Sequence, residues 1–274
     1  LSTDTWGGVS GNWNTGSLWS GGNVPGASDT AVLTGTAAYS VSLQASDTVG
    51  GLVINDPSAS LEVATSGTFS VLGTIALSAG ALELSGTLAH ATLLQTGGDI
   101  AIASTVLDGD TIDGSFALIS PISVKDGLNF SSPNGGLGEL TLAMGDGVHF
   151  LDNETLSNAL IVANGADTID STGFLFTLSK TSVLDGFGST KILGTFDNKG
   201  SIEIANSTIL SLPGIFTNEG TISSGSMVTV HTPRPVAATA SAGMRWPSAL
   251  VKFQEGACGA ERIGFATLCM PCPN

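Results

Sequence analysis

Arginine is absent from the first 232 of the 274 residues, and cysteine from the first 257. Without thiols that body holds neither disulfides nor cysteine chemistry. Charge is scarce too: 11% of the chain is charged, and up to Thr232 only 4 basic residues stand against 21 acidic ones. Such a surface repels phosphate backbones, and no basic stripe interleaved with aromatics overrides it, so nucleic acid is excluded as a partner. No apolar run reaches the roughly 20 residues of a membrane-spanning helix, and the N-terminus lacks the basic and apolar regions of a signal peptide. Membrane insertion by this chain is therefore not expected. The abrupt polar start Leu1-Ser-Thr-Asp-Thr-Trp6 reads as the mature part of an exported protein.

What is present is a 42% hydrophobic composition with 37 glycines, enough apolar content for a substantial core. The apolar residues come in short alternating runs: Leu61 and Val63, Phe69 and Val71, Ile75 and Leu77, Leu82 and Leu84. Each run ends at Gly, Ser or Asn, and strands of three to five residues are too short for a large sandwich. The texture continues through Ile100-Ala-Ile102, Phe116-Ala-Leu118, Leu140-Thr-Leu142, Phe174-Leu-Phe176-Thr-Leu178 and Ile202-Glu-Ile204, with no amphipathic helix between.

Two segments set the period. Phe196-Asp-Asn-Lys-Gly-Ser-Ile202 and Phe216-Thr-Asn-Glu-Gly-Thr-Ile222 match at one offset, with Phe, Asn, Gly and Ile each twenty residues after its counterpart. A chain that returns each side chain to the same lateral place after about twenty residues stacks like on like. The expected fold is all-β, a parallel β-helix with Phe196 on Phe216, Ile202 on Ile222, and Asn198 and Asn218 forming a turn ladder. Residues 40–232 would then make about nine to ten coils, a rod roughly 45 Å long at the spacing of stacked strands.

Residues 1–39 differ, holding Trp6, Trp13 and Trp19, three of the four tryptophans. They read as an N-terminal aromatic cap over the first coil, with sugar stacking as the alternative. After Thr232 the texture breaks at Pro233-Arg-Pro235, and residues 233–274 read as a linker and a short, poorly ordered, non-solenoid tail, helical at most near Ser248–Glu255. That tail carries all three cysteines, and it reads as foreign to the solenoid, a cloning remnant or a reading-frame change.

The stretches Trp6-Gly-Gly-Val-Ser-Gly-Asn-Trp13 and Leu18-Trp-Ser-Gly-Gly-Asn-Val-Pro-Gly-Ala-Ser-Asp-Thr-Ala-Val-Leu33, with the later Phe-x-Asn-x-Gly-x-Ile segments, resemble bacterial autotransporter-like passenger proteins built from β-strand repeats. The resemblance covers roughly residues 4 to 230. It implies a right-handed parallel β-helix at a Gram-negative cell surface, with roles in adhesion or self-association and no catalytic residues. The chain departs from a complete autotransporter in having no C-terminal run of amphipathic strands for a membrane barrel.

Candidate chemistry is sparse. Asp108, Asp110 and Asp113 form the best acidic cluster, and Asp108 and Asp110 on one strand face would offer oxygen ligands to calcium. The repeated Gly-Gly-x-Gly-x-Asp pattern of calcium loops is missing, with only Gly97-Gly-Asp99 echoing it. Polysaccharide-cleaving enzymes on β-helices need paired carboxylates at fixed separation or a Lys or Arg base beside Ca²⁺ on one face, and Lys125, Lys180, Lys191 and Lys199 sit in no acidic cluster that resembles such a site by sequence. His90, His149 and His231 lack metal-ligand spacing, and Cys269-Met-Pro-Cys272 is half a zinc site at best. Thr34-Gly-Thr36 resembles the threonine pairs of ice-binding solenoids, but no regular ladder of such pairs follows. The expected function is a non-catalytic surface or secreted adhesive passenger whose partners are like molecules or a host or matrix surface. The alternative is a carbohydrate-binding or carbohydrate-cleaving β-helix with glycan partners. No cofactor is expected, calcium being the weak exception.

Overall fold

The computed structural model describes residues 2–132, 135–143, 145–205, 209–224, 228–232 and 251–255. The chain divides into two compact units, Leu1–Leu140 and Thr141–Asn274. Both are parallel β-solenoids, built from short strands that pair with their counterparts one coil away.

In the first unit each coil passes through three sheets. The first sheet stacks Thr3–Thr5, Thr30–Leu33, Gly51–Ile54, Thr74–Leu77, Thr92–Gln95, Thr111–Asp113 and Asn129–Ser131. The second stacks Gly11–Asn12, Tyr39–Leu43, Ala59–Val63, Ala81–Leu84 and Asp99–Ile102. The third includes Asp47–Val49, Thr68–Val71, Thr87–Ala89, Val106–Asp108 and Ile122–Lys125. Alternation along each strand sends every second side chain inward. Leu61, Val63, Phe69, Val71, Ile75, Leu77, Leu82 and Leu84 are all buried, the inward set that the sequence pattern marks out.

The first coil is the long one. Thr3 pairs with Thr30, and the intervening chain folds inward around a single 3-10 turn, Gly16–Leu18. Trp6, Trp13 and Trp19 are buried together, with Trp19 edge-on to Trp6 at 4.9 Å and to Trp13 at 4.7 Å. Trp13 meets Phe69 of the core edge-on at 5.0 Å. Each indole N–H is satisfied, Trp6 by Val9 O, Trp13 by Asp47 Oδ2 and Trp19 by the Trp13 carbonyl. Edge-to-face rings with satisfied donors bury a large area at no polar cost. Residues 3–5, 11–12 and 30–33 are themselves solenoid strands, so the aromatic cluster grows out of the first coil.

In the second unit the strands Thr168–Leu178 and Ser189–Asn198 bend around a corner and serve two sheets. Their first halves extend a sheet through Gly147–Phe150, Ile209–Ser211 and Val228–Thr232. Their second halves pair with Glu154–Leu156 and Ile215–Asn218. A third sheet joins Ala159–Ala163, Val183–Gly186, Ser201–Ile204 and Thr221–Ser224. The corner is tight at Gly194, whose φ of 88° favours glycine, and a Cβ on Gly214 one coil along would collide with the Gly194 carbonyl oxygen.

Inside this unit runs a column of four phenylalanines. Phe150 stacks on Phe176 at 4.9 Å, Phe176 on Phe196 at 5.0 Å, and Phe196 on Phe216 at 5.4 Å. Ile202 pairs in register with Ile222. At the next corner Asn198 is fully buried, and its Nδ2 donates to Asn218 Oδ1 at 2.6 Å while its Oδ1 accepts from the Gly200 amide. One amide-to-amide hydrogen bond thus joins the two coils, as stacked identical side chains do.

Residues 251–255 form a strand beside Val228–Thr232, where the sequence suggested a helix at most. The rest of the expected linker and tail, with Cys258, Cys269 and Cys272, lies outside the described residues.

Candidate functional site

A grouping of ionisable side chains in the first unit sits at one corner, where the third sheet turns into the first. Three successive coils make the corner with a left-handed residue: His90 (φ 62°), Gly109 (φ 68°) and Asp126 (φ 55°). His and Asp are among the few side chains that tolerate this conformation. The His90 amide donates to Asp108 O and the Gly109 amide to Lys125 O, both at 2.9 Å, so the corners stack. The register places Lys125 directly opposite Asp108. Lys125 Nζ lies 2.8 Å from Asp108 Oδ2 and 3.2 Å from Asp126 Oδ2.

The three aspartates offered to calcium by the sequence are not brought together. The strand ends at Asp108, which faces outward to Lys125, and the left-handed Gly109 turns the chain so that Asp110 points inward. Asp110 is 1% exposed and accepts from the amides of Ala91 at 2.7 Å and Asp108 at 3.0 Å. Asp113 accepts from Ser131 Oγ at 2.9 Å. Among the described residues no group of three His, Cys, Asp or Glu gathers as for a metal ion. Asp108 and Asp110 thus lie on opposite sides of the wall, correcting the expectation of a shared face.

Lys125, which sequence spacing left outside any acidic cluster, bridges two carboxylates. The signal was obscured because Asp108 and Lys125 are 17 residues apart, a coil shorter than the twenty-residue period. Its hydrogen bonds to Asp108 and Asp126 push the ammonium up, and those from Lys125 and Asp108 hold Asp126 down. A general base needs a pKa near the working pH, and this lysine is moved away from it. Burial pushes Asp110 up to about 8, overcoming the two amide donors that act to lower it.

The sign of that shift sets a pH dependence. A carboxyl raised in the folded state favours folding fully below its unfolded value of 3.8 and loses that contribution as pH rises through about 8. The melting temperature is expected to fall between pH 5 and pH 8, and Asp110→Asn should flatten that fall. Thermal melts of both proteins at the two pH values check this, and equal slopes would refute it.

The second unit repeats the corner logic with different partners. Asp167 is buried and accepts from the Gly145 and Gly165 amides, while Asp170 faces out to His149 Nδ1 at 3.3 Å. Lys199 pairs with Asp197 at 3.3 Å. His231 belongs to the strand Val228–Thr232, and its side chain lies outside the described residues.

An open groove of about 480 Å³ in the first unit is lined by Pro57–Ser60, Ser78–Ala81, Gly98 and Asp99. Its single carboxylate has no acid or base opposite it along that lining. The outward faces are more regular. On the first sheet of the first unit, Thr3 pairs with Thr30, Thr30 with Gly51, Thr74 with Thr92, Thr92 with Thr111, and Thr111 with Asn129. Gly51 stands beside Thr74, since Leu52 pairs with Ile75. Thr34 and Thr36, the pair singled out in sequence, lie in the exposed turn after the strand Thr30–Leu33.

Comparison with protein-family models, curated proteins and solved structures returns no match for this chain.

Proposed function

We propose that this chain is a non-catalytic structural or adhesive passenger, secreted or displayed at a bacterial outer surface, that binds like molecules or a host or matrix surface through its side faces. The observation that carries the reading is the register: on the second sheet of the first unit Ser40, Ser60, Ala81 and Asp99 stand above one another, as do Ser42, Glu62, Glu83 and Ala101, so outward positions form columns that run over several coils. Binding on such a surface is spread over many weak contacts held by a rigid scaffold. The autotransporter-like resemblance of Trp6–Leu33 and of the Phe-x-Asn-x-Gly-x-Ile segments supports the same reading. The carbohydrate alternative loses the tryptophans as a sugar platform, because Trp6, Trp13 and Trp19 are each 3% exposed or less and pack edge to face against one another.

Copies that carry a net charge of −15 repel one another. Self-association is therefore expected to strengthen as salt shortens the screening length to about 8 Å near physiological ionic strength. Sedimentation of the purified chain across salt, with cell aggregation and binding to immobilised matrix protein, tests the proposal. A monomer at every salt concentration that binds no surface overturns it.

A further inference from the structure

The outward face of the first sheet in the first unit carries two parallel columns. One holds Thr3, Thr30, Gly51, Thr74, Thr92, Thr111 and Asn129. The other, two residues further along each strand, holds Thr5, Val32, Val53, Ala76, Leu94, Asp113 and Ser131. All of these positions are exposed or half-buried, while the residues between them, such as Ala31, Leu52, Ile75, Leu93 and Ile112, fill the core. No register shift interrupts these pairings, so the columns run straight.

Three properties of this face select its occupant. From Thr3 to Leu94 neither column carries a charge, on a protein whose net charge is −15. It carries no aromatic residue either, so it lacks the anchors of a protein interface and the ring platforms that hold sugars. The hydroxyls of Thr30, Thr74, Thr92 and Thr111 make no hydrogen bond to the protein among the described residues, which leaves them to water. Neighbouring strands lie about 4.7–4.9 Å apart and outward residues on one strand about 6.6 Å apart. The inter-strand repeat is close to that by which water oxygens recur along one axis of the prism plane of hexagonal ice.

We propose that this face binds ice, the threonine hydroxyls entering the lattice as hydrogen-bonding partners and the methyls of Thr, Val, Ala and Leu holding the intervening water in ordered cages. A single hydroxyl–water bond has little net worth, so the effect depends on many aligned contacts made at once. A charged side chain would impose its own hydration shell on the lattice, and the columns exclude one until Asp113. This inference does not rest on the adhesive reading, since its ligand is solid water and not a surface protein.

The test uses the full chain in thermal hysteresis and ice recrystallisation assays, with circular dichroism confirming the fold of each variant. Thr92→Lys places a charge at the middle of the column without touching the core, and it is expected to abolish most of the activity. Ser60→Lys, an outward change on the second sheet, is expected to leave it intact. At Gly51 a Cβ would meet nothing closer than 3.5 Å and the φ is not left-handed, so Gly51→Thr fills the gap in the column and should raise the activity. A folded parent chain that leaves ice growth unchanged overturns the proposal. So does equal loss in Thr92→Lys and Ser60→Lys, or a Gly51→Thr variant no more active than the parent. Failure of the sedimentation and surface-binding assays leaves these readouts untouched, which keeps the two proposals separable.

Discussion

Phe176→Ala is expected to destabilise the second unit by about 3–5 kcal/mol, the usual cost of emptying a large aromatic from a packed core. Phe176 is fully buried between Phe150 at 4.9 Å and Phe196 at 5.0 Å, so its removal strips a stacking partner from both neighbours. Stacked pairs are worth about 0.5–1.5 kcal/mol each beyond their buried area. In a solenoid each coil is supported chiefly by its neighbours, and the gap falls in the middle of the column, where no end coil can relax around it. Phe176→Leu keeps most of the volume and is expected to cost about half as much or less. Urea unfolding followed by circular dichroism measures both. A loss below about 1 kcal/mol for the alanine variant would mean that the column contributes little.

Trp13→Ala is expected to cost the first unit a comparable amount, about 3–5 kcal/mol. The side chain has no exposed surface, contacts Trp19 and Phe69 edge-on, and donates to Asp47 Oδ2 at 2.7 Å. Truncation opens a cavity at the end of the core and deprives the Asp47 carboxylate of its indole donor. Trp13→Phe separates the two losses: a ring remains against Trp19 and Phe69, and the missing hydrogen bond is expected to cost about 1 kcal/mol. If the two variants were equally unstable, the hydrogen bond and not the packing would hold this end of the solenoid.

Much of the fold was legible because inside and outside alternate with period two in short strands. The buried pairs Leu61 and Val63, Phe69 and Val71, Ile75 and Leu77, and Leu82 and Leu84 follow directly from that alternation. The stack of Phe196 on Phe216 was legible too, since the coil that joins them keeps its length over a whole repeat. The column continues to Phe176, twenty residues before Phe196, a step the Phe-x-Asn-x-Gly-x-Ile pattern does not flag because Leu178 stands where Asn198 and Asn218 do. Its next step, to Phe150, is hidden by the residues added between Ser171 and Leu175, where the register shifts.

The candidate sites were less legible for the same reason. Lys125 meets Asp108 across a 17-residue coil, whereas Asn158 meets Thr181 across 23 residues. A search for fixed spacing misses both. The threonine column was overlooked in a further way: a pair such as Thr34-Gly-Thr36 was sought within one strand, while the column draws a single threonine from each of several strands.

By itself the sequence determined the class of this protein: short alternating strands, glycine and polar corners, an acidic and cysteine-free body, and one repeat long enough to reveal the coil. Those features are local, because side-chain direction along a strand and the conformational freedom of a corner residue depend on neighbours in the chain. Only the tertiary structure decided which residues stand above one another. That choice is made by the hydrogen-bond ladder between coils, which aligns strands regardless of how many residues each corner takes to return. The Lys125 clamp, the inward turn of Asp110 and the uncharged threonine face all arise from that alignment.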